Sequence, residues 1–203
     1  KHDSDGISDE DMWKQLQKEY KDKYDMSWIG QYGFNNTYAL IVREEAAKKY
    51  NLTKTSQLAD VSDELVFGGN SDYIERKDGF HLLCDTYGLK FKDVKDIDIG
   101  LKYEALKKGD IDVSNGFTTD AQLSNDNVRV LEDDKHLQVN YFCSNVVRND
   151  TLKSHPGLEE AIMKLDNSIT DKEMASLNYK VEVEGKEDVQ VAKDYLTEKG
   201  IIK

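Results

Sequence analysis

The sequence predicts an α/β fold divided into two lobes, and three observations lead there. Short apolar runs rich in β-branched and aromatic residues alternate with segments of helical periodicity through the middle of the chain, which argues for layered helices and strands with mainly parallel pairing. Two strand runs, 37–42 and 137–147, enclose a nearly self-contained α/β block, the pattern of one lobe inserted into another. No internal repeat or low-complexity linker interrupts the 203 residues, a length sufficient for one large core or two small ones.

Ser8 and Asp11 resemble a capping box, and Met12, Trp13, Leu16, Tyr20 and Tyr24 follow at helical spacing, so a helix is expected over 9–24. Trp28 and Ile29 begin a short apolar stretch. In 33–42, GFNNTYALIV, a polar turn passes into a buried strand. Asn35 and Asn36 tolerate unusual backbone angles, and 38–42 is rich in strand formers bounded by Arg43. Residues 43–50 read as a helix with Ala46 and Ala47 closely packed and Asn51 at its end. Thr55 starts a shorter helix around Leu58. The strand at 65–67 stops at Gly68-Gly69-Asn70. Phe80, Leu83, Cys84 and Tyr87 share one face of a helix that Gly88 closes.

A charged strand region at 94–99 comes next, then a helix through Leu101, Ala105 and Leu106, where Lys107 and Lys108 suit the negative end of the dipole. Ile111 and Val113 alternate with Asp110 and Asp112 as in a strand; 128–131 is another, and 137–147 is a long one. Pro156 sits near a helix start, with Leu158, Ile162 and Leu165 on its buried side. Thr170 and Glu173 make a second capping box. The last helix carries Val189, Ala192, Tyr195 and Leu196 and stops at Gly200.

Hydrophobic residues make up 38% and charged residues 33% of the chain, with a single Pro, which suits a heavily charged surface around an α/β core. No apolar run reaches bilayer length, and the opening Lys1-His2-Asp3-Ser4-Asp5 contains no signal peptide and reads like a cut point. A net charge of −12 argues against a nucleic-acid partner, which needs a basic surface, and is permissive for a cationic ligand. Cys84 and Cys143 stand in apolar contexts and read as small hydrophobes, with a disulfide between them as the alternative, and the four scattered histidines form no zinc pattern. No GxSxG, HExxH or GxxxxGK[ST] motif occurs, and Gly68-Gly69 has the wrong spacing for a dinucleotide loop. An enzyme, a cofactor and a metal are therefore not expected.

The segment GFNNTYALIV resembles the entry to the second lobe of osmoprotectant-binding proteins, the glycine betaine/choline/carnitine receptors of ABC importers. The resemblance continues through YIERKDG at 73–79, GLKYEAL at 100–106, GDIDV at 109–113, FTTDAQ at 117–122 and NVVR at 145–148. Together these blocks cover nearly the whole chain in the family's order. The resemblance implies a two-lobed, type II periplasmic-binding-protein-like fold with a hinge of two crossover strands. Residues 1–36 and 145–203 would belong to lobe one, and 37–144 would form lobe two. Several family units that would precede the helix at 9–24 have no counterpart here. The chain is therefore expected to lack the family's N-terminal part, leaving lobe one partial and open to self-association.

A quaternary ammonium has no N–H to donate and is held by aromatic faces, each ring contributing roughly 0.5–2 kcal/mol when water is excluded. The chain has 11 Tyr, 6 Phe and 2 Trp. The family motifs imply cage positions at Tyr38, Phe117 and Tyr141, with carbonyls near Asn36 adding partial negative charge. Phe117 departs from the family's frequent Tyr and keeps the π face without the hydroxyl. Arg76 matches the family position that binds a ligand carboxylate, and Thr118 and Thr119 would donate hydroxyls at the cleft edge. By residue type alone, Tyr38, Phe117 and Tyr141 read as core or rim, and Arg76 as a surface residue paired with Glu75 or Asp78. Tyr73 and Tyr103 read as core or rim. The implied function is capture of glycine betaine, choline or carnitine outside the cytoplasm, on a membrane-tethered receptor that docks on an ABC permease. The alternatives are an effector-sensing domain of a transcription regulator with the same fold and an enzyme built on that fold.

Overall fold

The computed structural model describes residues 7–124 and 127–203. In chain order the helices and strands are α1 (Asp9–Tyr24), β1 (Met26–Ile29), β2 (Tyr38–Arg43), α2 (Glu44–Lys49), β3 (Val66–Gly69), α3 (Ser71–Glu75), α4 (Phe80–Tyr87), β4 (Asp93–Asp96), α5 (Lys102–Lys108), β5 (Val113–Phe117), β6 (Val128–Leu131), β7 (Asn145–Arg148), α6 (Asn149–Ser154), α7 (Leu158–Met163), α8 (Asp171–Glu182) and α9 (Asp188–Glu198). Short 3-10 turns fill Thr55–Asp60, Ser62–Glu64 and Ala121–Ser124.

The chain divides into two compact units. The first takes the described residues up to Asn36, then Asn140–Met174 and Glu187–Lys203; the second takes Thr37–Val139 and Ala175–Lys186. The sequence suggested ranges of 1–36, 37–144 and 145–203. The second crossing instead falls at Val139–Asn140, and 175–186 group with the second unit.

The second unit is built on a five-stranded sheet of order β4-β3-β5-β2-β6. Among the described residues, parallel pairing, expected to dominate, joins β3 to β4 and to β5 and adds an isolated bridge between Lys54 and Glu132; β2 runs antiparallel to both β5 and β6. The entering strand β2 thus lies between β5 and β6 as the antiparallel member of a mixed sheet, an arrangement periodicity does not report. Along β2, Leu40 and Val42 pack into one cluster with Phe67, Tyr73, Phe80, Leu83 and Val113, while Ile41 packs on the other face with Leu106 and Ile111. Burial on both faces explains why the strand reads as a continuous apolar run, and each such side chain contributes about 1.5–3 kcal/mol.

Among the described residues the first unit has a two-stranded antiparallel sheet, β1 with β7, in the register Met26↔Arg148 to Ile29↔Asn145. The Ser8 side chain accepts the Asp11 amide at the start of α1, as expected of a cap, and Asp25 in the left-handed region ends the helix. The rings of Trp13 and Tyr20 meet Trp28 edge-on at 5.7 and 5.2 Å. Farther along, the Tyr195 hydroxyl donates to the Ser168 carbonyl at 2.9 Å.

The long strand expected at 137–147 is not one ladder. Only Asn145–Arg148 pairs as a strand, with an isolated bridge between Asn35 and Phe142. The reason lies in its partners. The Tyr141 amide donates to the Asn35 side-chain oxygen, its carbonyl accepts the Asn36 amide, and the Cys143 carbonyl accepts the Tyr32 amide. Turn residues rather than a regular strand satisfy this backbone.

Candidate functional site

The register of β2 against β5 sets Tyr38 directly opposite Phe117 and Leu40 opposite Asn115. Directly opposed residues, and those two along, share a sheet face, so Tyr38, Phe117 and Asn115 lie on one face. The Tyr38 and Phe117 rings stack with centroids 4.9 Å apart and planes 24° apart, and both are half-buried. Tyr73 closes the back of the pair, its ring 5.2 Å from Tyr38 and its side chain 4% exposed. Burial, then the neighbouring Tyr38 hydroxyl, raises the Tyr73 phenol well above its usual range, so it stays neutral at physiological pH.

Asn115 was not among the sequence candidates. It is 4% exposed, and its side-chain oxygen has no hydrogen-bond partner among the described residues. A buried carbonyl dipole left unpaired costs about 1–3 kcal/mol, which makes it the polar group on this face that most needs an explanation. The adjacent Gly69 is held to glycine by the same packing, since a Cβ there would meet the Asn115 oxygen at 3.0 Å and the Phe67 ring at 2.9 Å.

The loop after β5 carries Thr118 and Thr119. The Thr118 amide donates to the Thr37 carbonyl, and the Thr118 hydroxyl oxygen accepts the Thr37 amide at 3.2 Å. The Thr119 carbonyl accepts the Asn178 side-chain amide at 2.8 Å. Thr118 is half-buried and Thr119 buried. Arg76 ends α3 and makes a bidentate ion pair with Asp78, Nε to Oδ1 at 2.9 Å and Nη2 to Oδ2 at 2.6 Å, with half of its side chain exposed. Gly79 then folds back so tightly that a Cβ would lie 2.1 Å from the Tyr73 carbonyl oxygen, which accounts for the glycine ending YIERKDG.

Asn36 and Tyr141 belong to the first unit. Their main chains are joined by the Asn36 amide donating to the Tyr141 carbonyl at 3.1 Å, and the Tyr141 ring is 58% exposed. The second unit thus brings together Tyr38, Phe117, Thr118 and Thr119, with Tyr73 against Tyr38 and Asn115 on the same sheet face as the rings.

Two hollows of the second unit, one beside Arg43 and Leu106 and one beside Asn70 and Ile97, have no aromatic ring in their lining. Among the described residues no group of His, Cys, Asp or Glu has metal-binding geometry, and no helix is long and apolar enough to cross a membrane. Both cysteines are free and half-buried, and burial pushes the Cys84 thiol up to about 11.

The profile of the family described as the substrate binding domain of ABC-type glycine betaine transport systems matches residues 6–198. The ergothioneine transport permease/ergothioneine binding protein EgtU of Helicobacter pylori (strain G27) is 38% identical over 92% of this chain and 34% of its own length. The carnitine transport binding protein OpuCC of Listeria monocytogenes is 36% identical over 89% of this chain and 59% of its own length. The chain thus spans about a third of the first relative's length and about three fifths of the second's. The crystal structure of a glycine betaine/carnitine/choline ABC transporter superposes with a TM-score of 0.89 at 36% identity, covering 96% of this chain and 71% of that one. Apo YehZ from Escherichia coli shares the fold, with a TM-score of 0.81 at 23% identity over all of this chain and 75% of its own. Proteins of this kind bind solutes for transporters and are not enzymes. The chain belongs to the family of substrate-binding domains of ABC-type glycine betaine transport systems.

Proposed function

We propose that this chain captures a methylated ammonium compound carrying a carboxylate and delivers it to an ABC permease. The observation that carries the reading is the stacked Tyr38–Phe117 pair with the unpartnered carbonyl oxygen of Asn115 on the same sheet face. Two ring faces and a carbonyl dipole attract a cation that has no proton to give, at roughly 0.5–2 kcal/mol per ring. That sum is too small for useful affinity alone, so the proposal includes Tyr141 of the first unit as a further ring. In this reading Asn36 lends carbonyl density, and Thr118 and Thr119 serve polar ligand atoms.

Arg76 is proposed for the carboxylate. Its fork already holds Asp78, so a ligand carboxylate competes with that side chain, and binding would exchange one bidentate pair for another. Carnitine and ergothioneine, like glycine betaine, join a trimethylammonium group to a carboxylate, whereas choline, named beside them for a related structure, carries a hydroxyl; the trimethylammonium group is what all of them share, and Arg76 is proposed for those that carry a carboxylate. Binding would shift the protein toward a closed form only by the difference in affinity between closed and open states. We place the protein outside the cytoplasm and tethered to the membrane, working with a permease.

Calorimetric titration of the full-length protein with glycine betaine, carnitine, ergothioneine, choline and unmethylated glycine tests the reading. Saturable binding of the trimethylated carboxylates without binding of glycine is expected. Equal affinity for glycine and glycine betaine would contradict a ring-face site.

A further inference from the structure

The turn that presents Phe117 is built around one carboxylate. Oδ2 of Asp120 accepts the Phe117 amide at 3.0 Å, the Tyr103 hydroxyl at 2.6 Å and the Lys102 ammonium at 3.3 Å. In return the Asp120 amide donates to the Phe117 carbonyl at 3.0 Å, closing the four-residue loop on itself. The Lys102 side chain is 6% exposed, so its charge is answered inside the fold. Buried charges persist when paired and hydrogen-bonded, and here the pairing is spent on a loop outside the hydrophobic core. Gly116, just before the loop, admits no side chain: a Cβ would lie 2.2 Å from Ile41 and 3.0 Å from both Asp120 Oδ2 and the Tyr103 hydroxyl. From the other side Asn178 of α8 holds the Thr119 carbonyl.

We propose that Asp120 is the positioning residue of the ligand-facing loop: through the Phe117 amide it fixes the Phe117 ring against Tyr38, with Lys102 balancing its charge and Asn178 bracing the far side. The assignment rests on the functional reading above for its consequence in binding, though not for its geometry.

Two paired variants separate positioning from bulk stability. Asp120→Ala with Lys102→Met removes the buried charge and the acceptor together; Asp120→Asn with Lys102→Met removes the charge but keeps an oxygen for the Phe117 amide. Both are expected to keep a cooperative thermal transition. Only the alanine pair should lose nuclear Overhauser contacts between the Tyr38 and Phe117 rings and slow exchange of the Phe117 amide. Its glycine betaine affinity should fall at least about tenfold below that of the asparagine pair, the scale of one lost hydrogen bond. Unchanged ring contacts and affinity within about twofold in the alanine pair would overturn the proposal. If that pair fails to fold, Asn178→Ala is read in its place: weaker glycine betaine binding with altered Thr119 shifts supports the brace, and unchanged values overturn it. Absence of any quaternary-ammonium binding by the wild-type protein would remove the functional reading, while the ring contacts and amide exchange would still decide the positioning claim.

Discussion

The two units solve the same problem with unequal means. The second closes a five-stranded sheet between two clusters, with Ile41, Val42, Phe67, Ile111 and Val113 entirely removed from solvent. The first has two short strands and a thin core in which Ile29, Phe34, Ile169, Val191 and Tyr195 are the well-buried apolar side chains among the described residues. A two-stranded sheet is marginal alone, so the first unit has far less packed area behind it than the second. The candidate rings Tyr38 and Phe117 stand on the better-packed unit, where neighbours fix their geometry.

Truncating the cores sharpens that contrast. Phe67 touches Tyr73, Phe80 and Phe91, with centroids 4.6–6.3 Å away, and is fully buried. Phe67→Ala is expected to cost about 3–5 kcal/mol in denaturant unfolding. In a matched pair, Ile111→Ala in the second unit is expected near the top of a range of about 2–5 kcal/mol and Ile169→Ala in the first unit near its bottom. Equal losses would erase the distinction drawn between the cores.

The caps give the next effect. Thr170 and Glu173 form the reciprocal box at the start of α8, the Thr170 amide donating to Oε2 at 2.8 Å and the Glu173 amide to the Thr170 hydroxyl oxygen at 3.3 Å. Thr170→Ala should cost about 1 kcal/mol, read as a lowered unfolding midpoint. A midpoint unchanged within error would remove capping from the first unit's supports.

The smallest effect is electrostatic. The Lys199 ammonium and the Thr170 donors hold the Glu173 carboxyl down at about 2, against an ordinary 4.5. A depressed carboxylate contributes stability above its unfolded value, lost as pH falls from about 4.5 toward about 2. Glu173→Gln should therefore flatten the acid side of the stability profile in that window and leave the neutral side nearly parallel to wild type. A variant whose acid limb keeps the wild-type slope would contradict the linkage.

What was legible in the sequence follows from how local each signal is. Capping boxes at Ser8 and Thr170 and the left-handed glycines at 88 and 200 act within a few residues, and they marked helix ends correctly. Strand β2 was legible because burial on both faces leaves an unbroken apolar run. Strand direction was not, since pairing partners lie far apart in sequence. The segment 137–147 misled because its apolar residues include the exposed Val139 and Tyr141, whose hydrophobicity reports no burial within the unit. At the site, Tyr38 and Phe117 were named through family motifs, and their stacking emerged only with the register. Asn115 carries a signal that could have been used: in Val113-Ser114-Asn115-Gly116-Phe117, alternate positions share a face, so a polar residue falls between two apolar ones on the core side. Asp120 stands three residues after Phe117, the spacing at which an aspartate reaches back to a backbone amide, but without coordinates its buried lysine partner was invisible.

The claim beneath these contrasts is that ring faces on the well-packed unit hold a cation that offers no hydrogen bond. Glycine betaine titrated calorimetrically into the full-length protein, its Tyr38→Phe variant and its Tyr38→Ala variant tests it most directly. Affinity should survive in Tyr38→Phe and fall by roughly the 0.5–2 kcal/mol of one ring, or more, in Tyr38→Ala. Full affinity in Tyr38→Ala, or equal losses in both variants, would contradict it.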